Sequence, residues 1–360
     1  MLKLITSYLS NRDQYVSYGS KLSSNLPLKH GVPQGSVLGP LLFIIYINDL
    51  IYCTKLAKFV LFADDSNLFI SHIDRDTAYR LANIAVGEVF MYCSANNIVI
   101  NYDKCCFLEF KLPAHQPHKM LAFPNHEIIM REEKCKFLGI YINSNLDWTD
   151  QISYARKLVS QSIGALYSAK ATVPQKILRV IYFSLVQPYF IYAMSIWASH
   201  HSSKEFDLLF KLQKKAIRIV TNHTNKIEGK FQHTKPLFKT SHILTIHNLY
   251  YYFTACEAKK VLCSGKPNAV FKLYLQSDRS SRLLMPKYNK EFYKSKSFIF
   301  NSSKILNHFL ANNINYTSCS LSTFKINVKR FLMAKQNIFL HKNANWLPNN
   351  YSLFTDIKIA

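Results

Sequence analysis

The chain has 360 residues, and 49% of them are hydrophobic, which is enough to bury a sizeable core and to build more than one domain. Its 45 Lys and Arg residues against 21 Asp and Glu residues give a formal charge of +24, which favours a polyanionic partner. Residues 1–8 are too polar and too few for a signal peptide, so we expect an intracellular protein, nuclear or cytoplasmic, and not a secreted one.

The basic excess lies mainly in the C-terminal part of the chain. After Ser160 the Lys and Arg residues continue, whereas the acidic residues are only Glu205, Asp207, Glu228, Glu257, Asp278, Glu291 and Asp356. Tyrosine and phenylalanine are interleaved with the basic residues, a mixture typical of grooves that hold a nucleic-acid backbone and stack its bases. A basic soluble protein without such a partner is the alternative interpretation.

The cysteines and histidines form no metal-binding motif. The eight cysteines are scattered, and no pair has Cys-x-x-Cys spacing, which argues against a zinc ribbon. We expect buried free thiols in a reducing compartment. The histidines of His115-Gln116-Pro117-His118 and of His200-His201 fit polar loops better than a metal site.

The first elements predicted along the chain are a helix end near residues 1–9 and a strand pair around Gly19. The block Gly31–Pro40 cannot be regular structure, because its glycines allow positive φ while its prolines fix φ locally. Residues 41–50 are apolar and predict a helix.

Two adjacent carboxylates, Asp64 and Asp65, lie at the tip of the next predicted element, a β-hairpin. Apolar residues 59–62 lead into the turn and apolar residues 68–70 lead out of it. Two close acidic oxygens are the ligands that Mg²⁺ needs. An Asp-Asp pair in a turn is by itself usually only a turn, so the Gly/Pro-rich block upstream gives this pair its significance.

A helix is predicted next, because its apolar positions recur close to every 3.6 residues. Asp74 or Asp76 can cap its first turn. Short strands are then predicted at Ile98–Asn101, Cys106–Phe110, Met120–Phe123, Glu127–Met130 and Phe137–Ile142. From Asp147 onward the pattern becomes helical, at Gln151–Ala169, Pro174–Gln187, Tyr189–Ser199, Lys204–Thr221 and Ser241–Leu262. This change marks the best domain boundary.

The stretch Ile181–Ser199 is uncharged and close to the length of a transmembrane helix. Its polar residues and Pro188 favour a buried helix pair that is broken at the proline. We therefore expect no membrane partner, and a basic protein that spans the membrane here is the competing interpretation.

Four blocks, in this order and spacing, resemble reverse transcriptases. Gly31–Phe43 and Phe62-Ala63-Asp64-Asp65 are similar to the B and C motifs, and the longer run Gly31–Leu50 resembles non-LTR retrotransposon polymerases of the jockey type. Asn101–Lys104 resembles the D motif, and Lys136–Ile142 resembles the E motif, the primer grip. The resemblance is sharp over about residues 8–150 and diffuse to about residue 335.

The resemblance implies an α+β fold. Residues 1–147 would form a partial polymerase palm, an antiparallel sheet with helices. Residues 148–265 would form an all-helical, thumb-like region, and residues 266–360 a basic C-terminal extension. Basic residues of the thumb could contact the duplex backbone, although each taken alone fits a solvated helix face; they are Arg156, Lys157, Lys170, Lys176 and Arg179.

The implied reaction is the addition of deoxynucleoside triphosphates to a DNA primer on an RNA template, with two Mg²⁺ ions or with Mn²⁺. Asp64 and Asp65 would hold the metal, with Asp64 as the direct ligand, and Lys104 would donate a proton to pyrophosphate unless it is only a solvated lysine. The nucleotide and template would contact Gly31, Pro33, Gln34, Gly35 and Ser36. The primer would contact Phe137, Leu138 and Gly139.

The third carboxylate of such a site, which the A motif supplies in this family, is not found before the B motif. Asp13 is the only acid before Gly31, and Ser10–Gln14 resembles the sequence that follows the A motif. We therefore expect the chain to start inside the palm and to be incomplete as a polymerase. The alternative is a catalytically inactive, nucleic-acid-binding remnant of a mobile element.

Overall fold

The computed structural model describes residues 2–28, 31–33, 35–110, 119–200, 204–224, 226–227, 230–231, 233–263, 283 and 297–334. These residues form helices together with small sheets of two or three strands, so the fold class is α+β, as predicted. The chain divides into two compact units, Met1–Glu132 and Glu133–Ala360. The predicted domain limits at 147/148 and 265/266 stay predictions.

The helices of the first unit are α1 (Leu2–Leu9), α2 (Leu38–Ile47) and α3 (Arg75–Ala95), with 3₁₀ turns at Asn48–Tyr52 and Tyr102–Lys104. Its strands are β1 (Asp13–Gln14), β2 (Ser17–Tyr18), β3 (Lys21–Leu22), β4 (Leu26–Pro27), β5 (Lys58–Phe62), β6 (Asp65–Phe69), β7 (Cys106–Phe107), β8 (Leu121–Ala122) and β9 (Ile128–Arg131). The pair β2–β3 is the one predicted around Gly19. Strand β9 pairs parallel to β7 and antiparallel to β8.

Helix α3 begins where the sequence predicted, because Thr77 N donates to Asp74 Oδ2 at 2.8 Å and so caps the first turn. It ends before Asn97, whose φ of 52° is left-handed. The core of the first unit packs one face of this helix against β8, β9 and their neighbours, and its buried residues are Tyr79, Ala82, Leu121, Phe123 and Ile129.

The predicted strand Ile98–Asn101 does not form. Ile98 N donates to Cys93 O at 2.8 Å, which closes the end of α3, and residues 98–101 adopt no strand structure. Strands β7 and β8 form but are shorter than predicted, because each pairs with β9 over only two residues, whereas β9 has its predicted length and lies one residue later. The sequence pattern predicted longer strands, because it does not show over how many residues a partner strand will pair.

A charged cluster ties α3 to the strands of the first unit. Arg75 donates to Glu109 twice, from Nε to Oε1 at 2.6 Å and from Nη2 to Oε2 at 3.1 Å. Tyr79 OH donates to Glu109 Oε2 at 2.8 Å, and Arg131 Nε lies 3.9 Å from the same oxygen. Partial burial acts to raise the pKa of Glu109, but the hydrogen bonds from Arg75 and Tyr79 outweigh it, so the pKa lies below the ordinary value.

Replacing Glu109 by Gln will lower the thermal stability of the chain at pH 7 by a few degrees, because Arg75 loses its ionised partner. The Glu109 carboxylate contributes stability above the ordinary glutamate pKa of about 4.3, and the contribution is lost as the pH falls through the lower folded-state pKa. Thermal unfolding followed by circular dichroism at pH 7 and pH 3 measures both effects. Glu127→Gln, at an exposed position of the same unit, is the control; equal effects of the two substitutions would contradict the assignment.

The second unit begins with a hairpin and continues mostly as helices. Its strands are β10 (Lys134–Phe137), β11 (Ile140–Asn143), β12 (Lys226–Ile227) and β13 (Lys230–Phe231). Its helices are α4 (Thr149–Ala169), α5 (Gln175–Ile181), α6 (Gln187–Ile191), α7 (Met194–Trp197), α8 (Lys204–Val220), α9 (Thr234–Thr240), α10 (Ile246–Cys263), α11 (Phe298–Ala311) and α12 (Leu321–Ala334). The predicted strand Phe137–Ile142 is thus the tip of a hairpin, turned at Leu138 and Gly139.

The buried polar side chain of Gln213 joins three parts of the helical core. Its Nε2 donates to Tyr182 OH and to Leu244 O, each at 3.0 Å, and its Oε1 accepts from Ile246 N at 2.7 Å. Gln213 is fully buried and uses both ends of its amide, so its burial carries little desolvation penalty. The helices α8 and α10 are thereby fixed to the segment that follows α5.

The predicted break at Pro188 is displaced to Ala193. A wide π turn, Tyr182–Val186, connects α5 to α6, and Gln187 N donates to Tyr182 O across five residues. This wide turn accommodates a proline without interrupting the helical path. The chain breaks instead after Tyr192, where Ala193 has a left-handed φ of 49°.

The same segment is buried on one side. Its inward residues are Tyr182, Val186, Phe190, Met194 and Trp197, all of which belong to the large core of the second unit. Within the described ranges, no helix is long and apolar enough to cross a membrane.

All eight cysteines are free thiols, as predicted. Only Cys93 and Cys256 are buried, whereas Cys106 and Cys263 are exposed. The expectation that the thiols are buried therefore holds for a minority of them, because most lie on short strands and helix ends near the surface.

Candidate functional site

The hairpin of β5 and β6 presents the two adjacent carboxylates. The strands pair from Lys58 with Phe69 to Phe62 with Asp65, which leaves Ala63 and Asp64 as a two-residue turn. Asp64 and Asp65 are both exposed. The sequence prediction that a tight turn holds these acids at the surface is thus matched by the geometry.

Ala63 holds this turn in an unusual backbone conformation. Its φ of 51° is left-handed, at the first central position of the turn, where glycine is usual. An L-residue in that region costs roughly 1–2 kcal/mol. Pairing of the flanking strands must offset this cost, so the carboxylates sit on a locally strained turn of the kind found at functional sites.

Asp65 shares one face of the hairpin with exposed apolar side chains. Residues that pair directly point to the same face, so Asp65 lies beside Phe62 and in line with Val60 and Phe69. These three apolar residues are 62%, 44% and 50% exposed, respectively. One carboxylate therefore borders an apolar surface, whereas Asp64 occupies the turn itself.

The Gly/Pro-rich loop is organised around Ser36. Its hydroxyl donates to Pro33 O at 2.7 Å, accepts from Gly39 N at 3.1 Å and also contacts the Tyr8 hydroxyl. A Cβ at Gly39 would lie 2.9 Å from Ser36 Oγ, so this position in the first turn of α2 favours glycine. The prediction that Gly31–Pro40 contains no regular structure is therefore wrong for its last three residues, because α2 begins at Leu38. The hydroxyl of Ser36 thus stabilises the loop, and its predicted contact with nucleotide stays a prediction.

The remaining predicted loop residues have glycine-specific backbone geometry. Gly31 and Gly35 have φ of 82° and 77°, as the sequence predicted from their flexibility. Arg12 Nη2 donates to Gly31 O at 2.6 Å and anchors the start of the loop. Gln34, the predicted hydrogen-bonding residue of this block, lies outside the described residues.

Lys104 is exposed and belongs to the 3₁₀ turn Tyr102–Lys104. It was expected at the end of a strand, but its amide donates to Asn101 O at 3.2 Å and closes a turn instead. Tyr102 anchors that turn, with its ring 5.2 Å from the ring of Phe123. The predicted role of Lys104 as a proton donor stays a prediction.

The turn between β10 and β11 is the predicted primer grip. Leu138 and Gly139 have φ of 46° and 82°, the two positive values that a type I′ hairpin turn requires. Phe137 pairs with Ile140 and closes the turn. The structure places this hairpin in the second unit, with the helices, and Tyr141 N donates to Gln151 Oε1 of α4 at 2.9 Å.

The five residues predicted to contact the duplex differ in how exposed they are and in whether they contact other parts of the chain. Lys170 Nζ donates to Thr224 Oγ1 at 2.6 Å, and Arg179 donates to Ser241 O and lies over the ring of Phe183 at 5.3 Å. These two side chains join elements of the second unit. Lys157 and Lys176 are exposed, whereas Arg156 is partly buried. The exposed pair is the better candidate for phosphate contact.

The described residues bring no third carboxylate to the Asp64–Asp65 pair. No cluster of three or more His, Cys, Asp or Glu side chains that could hold a metal ion occurs in the part of the chain that the structure describes. Asp13 pairs with Pro27 in the β1–β4 ladder, and Asn25 Nδ2 lies 3.5 Å from its Oδ2. His115 and His118 lie outside the described residues.

Sequence reasoning missed the residues that support these loops. Tyr8 contacts Ser36, and Tyr192 OH donates to Leu138 O at 2.5 Å. Each pair is distant along the chain, so no local pattern reveals it.

Residues 2–142 match the family described as reverse transcriptase (RNA-dependent DNA polymerase). This range includes the Gly/Pro-rich loop, the Asp64–Asp65 hairpin, the 3₁₀ turn at Lys104 and nearly all of the β10–β11 hairpin. The resemblance predicted from the motifs is therefore confirmed: residues 2–142 are similar to reverse transcriptases.

The similar proteins are polymerases of Drosophila melanogaster transposons. The chain is 26% identical over 247 residues to "Probable RNA-directed DNA polymerase from transposon BS". The aligned region covers 64% of this chain and 26% of that protein. The chain is 25% identical over 228 residues to "Probable RNA-directed DNA polymerase from transposon X-element", covering 61% and 24% of the two chains. It is 24% identical over 238 residues to "RNA-directed DNA polymerase from mobile element jockey", covering 61% and 25%.

The chain spans about a quarter of the length of these curated relatives. No solved structure matches it. The similarity is to non-LTR retrotransposon polymerases of the jockey type, as the Gly31–Leu50 block predicted.

Proposed function

We propose that this chain is part of an RNA-directed DNA polymerase of a non-LTR retrotransposon. The observation that carries the proposal is the exposed Asp64–Asp65 pair on a strained hairpin turn, inside the segment that matches the reverse transcriptase family. The partners would be an RNA template, a DNA primer and deoxynucleoside triphosphates. The free thiols support an intracellular site of action, in the nucleus or the cytoplasm.

The donor set of the hairpin fits a hard divalent cation. Asp64 and Asp65 offer exposed carboxylate oxygens, which suit Mg²⁺ or Mn²⁺ and not a soft metal. A bound ion of this kind would supply charge stabilisation for nucleotidyl transfer. The residues of the chain would then hold the reacting groups: Gly31 to Ser36 beside the nucleotide and template, the Leu138–Gly139 turn against the primer end, and Lys104 as a proton donor.

We further propose a palm-like role for the first unit and a thumb-like role for the helices that follow the β10–β11 hairpin. The basic excess after Ser160 and the exposed Lys157 and Lys176 support contact with the backbone of a primer–template duplex. Sequence-independent binding would follow, because phosphate contacts carry no base information.

A second candidate is a catalytically inactive, nucleic-acid-binding remnant of a mobile element. It is favoured by one observation: the described residues bring no third carboxylate to the Asp64–Asp65 pair. Under this proposal the basic helical region binds duplex, while the hairpin binds metal weakly and performs no chemistry.

The metal assignment is tested by titration with Mn²⁺. The full chain will bind Mn²⁺ weakly, because two adjacent carboxylates provide fewer ligands than a complete site. Asp64→Asn combined with Asp65→Asn will abolish this binding. Asp74→Asn, at a helix cap outside the hairpin, is the matched control and will leave the titration unchanged. An unaltered titration in the double variant would refute the assignment.

A further inference from the structure

We infer that Tyr192 is a positioning residue that holds the Leu138–Gly139 turn in place for the primer end. The inference rests on the proposed function, since it assigns the turn to the primer. The inference extends the proposed function, because it names the side chain that supports this turn. That side chain lies 54 residues further along the chain, in a different part of the second unit.

The turn needs support because of its backbone geometry. Leu138 has a left-handed φ of 46°, although it is neither glycine nor asparagine. A two-residue hairpin connection with both φ values positive is usually formed by Asn-Gly or Gly-Gly. Leu138 therefore occupies a conformation that an isolated hairpin of this sequence would seldom adopt, and surrounding contacts must select it.

Tyr192 provides two such contacts. Its hydroxyl donates to Leu138 O at 2.5 Å, which fixes the carbonyl of the strained residue. Its ring covers Gly139: a Cβ at this glycine would lie 3.3 Å from Cε1 and 3.7 Å from Cζ of the tyrosine. The side chain thus touches both central residues of the turn, while Gly139 itself remains exposed to a partner.

Tyr192 is in turn fixed by the core of the second unit. Its carbonyl accepts a hydrogen bond from Trp197 Nε1 at 2.8 Å, and Trp197 is fully buried. Its amide donates to Pro188 O at 3.0 Å at the end of α6. Because the chain breaks at the left-handed Ala193, the tyrosine ring leaves the helix here and reaches the hairpin.

The chain therefore contains a continuous path of contacts from the buried Trp197 through Tyr192 to the turn. Such a path makes the position of the turn depend on the helices after α5. A primer end held by this turn would be placed by the helical region, and not by the β10–β11 hairpin alone.

The test compares Tyr192→Phe with Tyr189→Phe in the full chain. Tyr192→Phe removes the hydroxyl and keeps the ring; Tyr189→Phe removes the hydroxyl of another exposed tyrosine on α6. Without nucleic acid, amide hydrogen exchange at Ile140, which closes the turn, will be about fivefold faster in Tyr192→Phe, the factor of one ordinary hydrogen bond. Tyr189→Phe will exchange like the wild type.

The second measurement uses a primer–template duplex with 4-thiothymidine at the primer 3′ end. Irradiation will cross-link the wild-type chain at residues 137–139, and Tyr192→Phe will lose this cross-link severalfold at unchanged melting temperature and duplex affinity. Gly139→Ala, which displaces the tyrosine ring and strains the turn, will lose it too. A merely structural role would change stability and leave the cross-linked position as it is.

Two results would overturn the inference. Unchanged exchange at Ile140 in Tyr192→Phe shows that the hydroxyl does not hold the turn, whatever the chain binds. An undiminished cross-link in that variant shows that the turn is positioned without it. If the wild-type chain cross-links at other residues, the proposed contact between this turn and the primer is wrong. The wild-type measurement therefore tests the proposed function separately from the role of Tyr192.

Discussion

The purified 360-residue chain will not extend a DNA primer on an RNA template in the presence of Mg²⁺ and deoxynucleoside triphosphates. The hairpin supplies Asp64 and Asp65, and the described residues place no third acid beside them. Metal-assisted stabilisation of the transition-state charge contributes several kcal/mol, and each 1.4 kcal/mol lost slows a reaction about tenfold. An incomplete ligand set therefore reduces the rate by many orders of magnitude.

Primer extension beside an Asp64→Ala control measures this directly. Equal absence of product from both chains is the expected result. Extension by the wild-type chain and not by Asp64→Ala would show that another acid of this chain completes the site. A time course over hours with radiolabelled primer would detect a rate reduced by several orders of magnitude.

Binding of a primer–template duplex will weaken steeply with salt. The chain carries a formal charge of +24, and few acidic residues follow Ser160. A protein that makes six to ten phosphate contacts loses about 10³-fold or more in affinity between 50 and 200 mM salt, because bound counterions are released from the DNA. Fluorescence anisotropy at several salt concentrations gives the slope of log K against log salt. A flat dependence would contradict the thumb-like assignment.

Single substitutions show which lysines contribute to the salt dependence of duplex binding. Lys157→Gln and Lys176→Gln, at exposed positions of the helical region, will each reduce the slope by about one and weaken binding to all sequences alike. Lys55→Gln, at an exposed position of the first unit, is the matched control. If Lys55→Gln reduced the slope as much as the other two, the binding surface would not lie in the helical region.

Residues close together in sequence were predicted well. The Asp64–Asp65 hairpin follows from apolar runs on either side of a polar turn, and Asp74 caps α3 through an amide three residues away. The positive φ values of Gly31 and Gly35 are of the kind that glycine permits, as the sequence indicated. In each case the determining interaction spans a few residues, so its signal is present in a short window of sequence.

Two predictions failed where the turn next to the predicted feature decides the structure. Ile98–Asn101 has strand-like residues, but the amide of Ile98 donates to Cys93 O at the end of α3. These residues form no strand. Pro188 was expected to break a helix, but the wide turn before it accommodates the proline and the break moves to Ala193. In both cases a hydrogen bond between residues five apart accompanies the observed structure, and residue preferences alone did not reveal it.

The sequence by itself indicated the resemblance to reverse transcriptases, because spaced glycines, prolines and paired aspartates are read directly from the chain. It also determined which residues are candidates for chemistry. Only the tertiary structure decided what supports the candidate residues, namely Tyr8 at Ser36 and Tyr192 at Leu138, and what ties α3 to its strands, namely Glu109 with Arg75 and Tyr79. Tyr8 lies 28 residues from Ser36, and Tyr192 lies 54 residues from Leu138. Glu109 lies 34 residues from Arg75 and 30 residues from Tyr79. Contacts of that range depend on how whole elements pack, and no pattern along the chain encodes them locally.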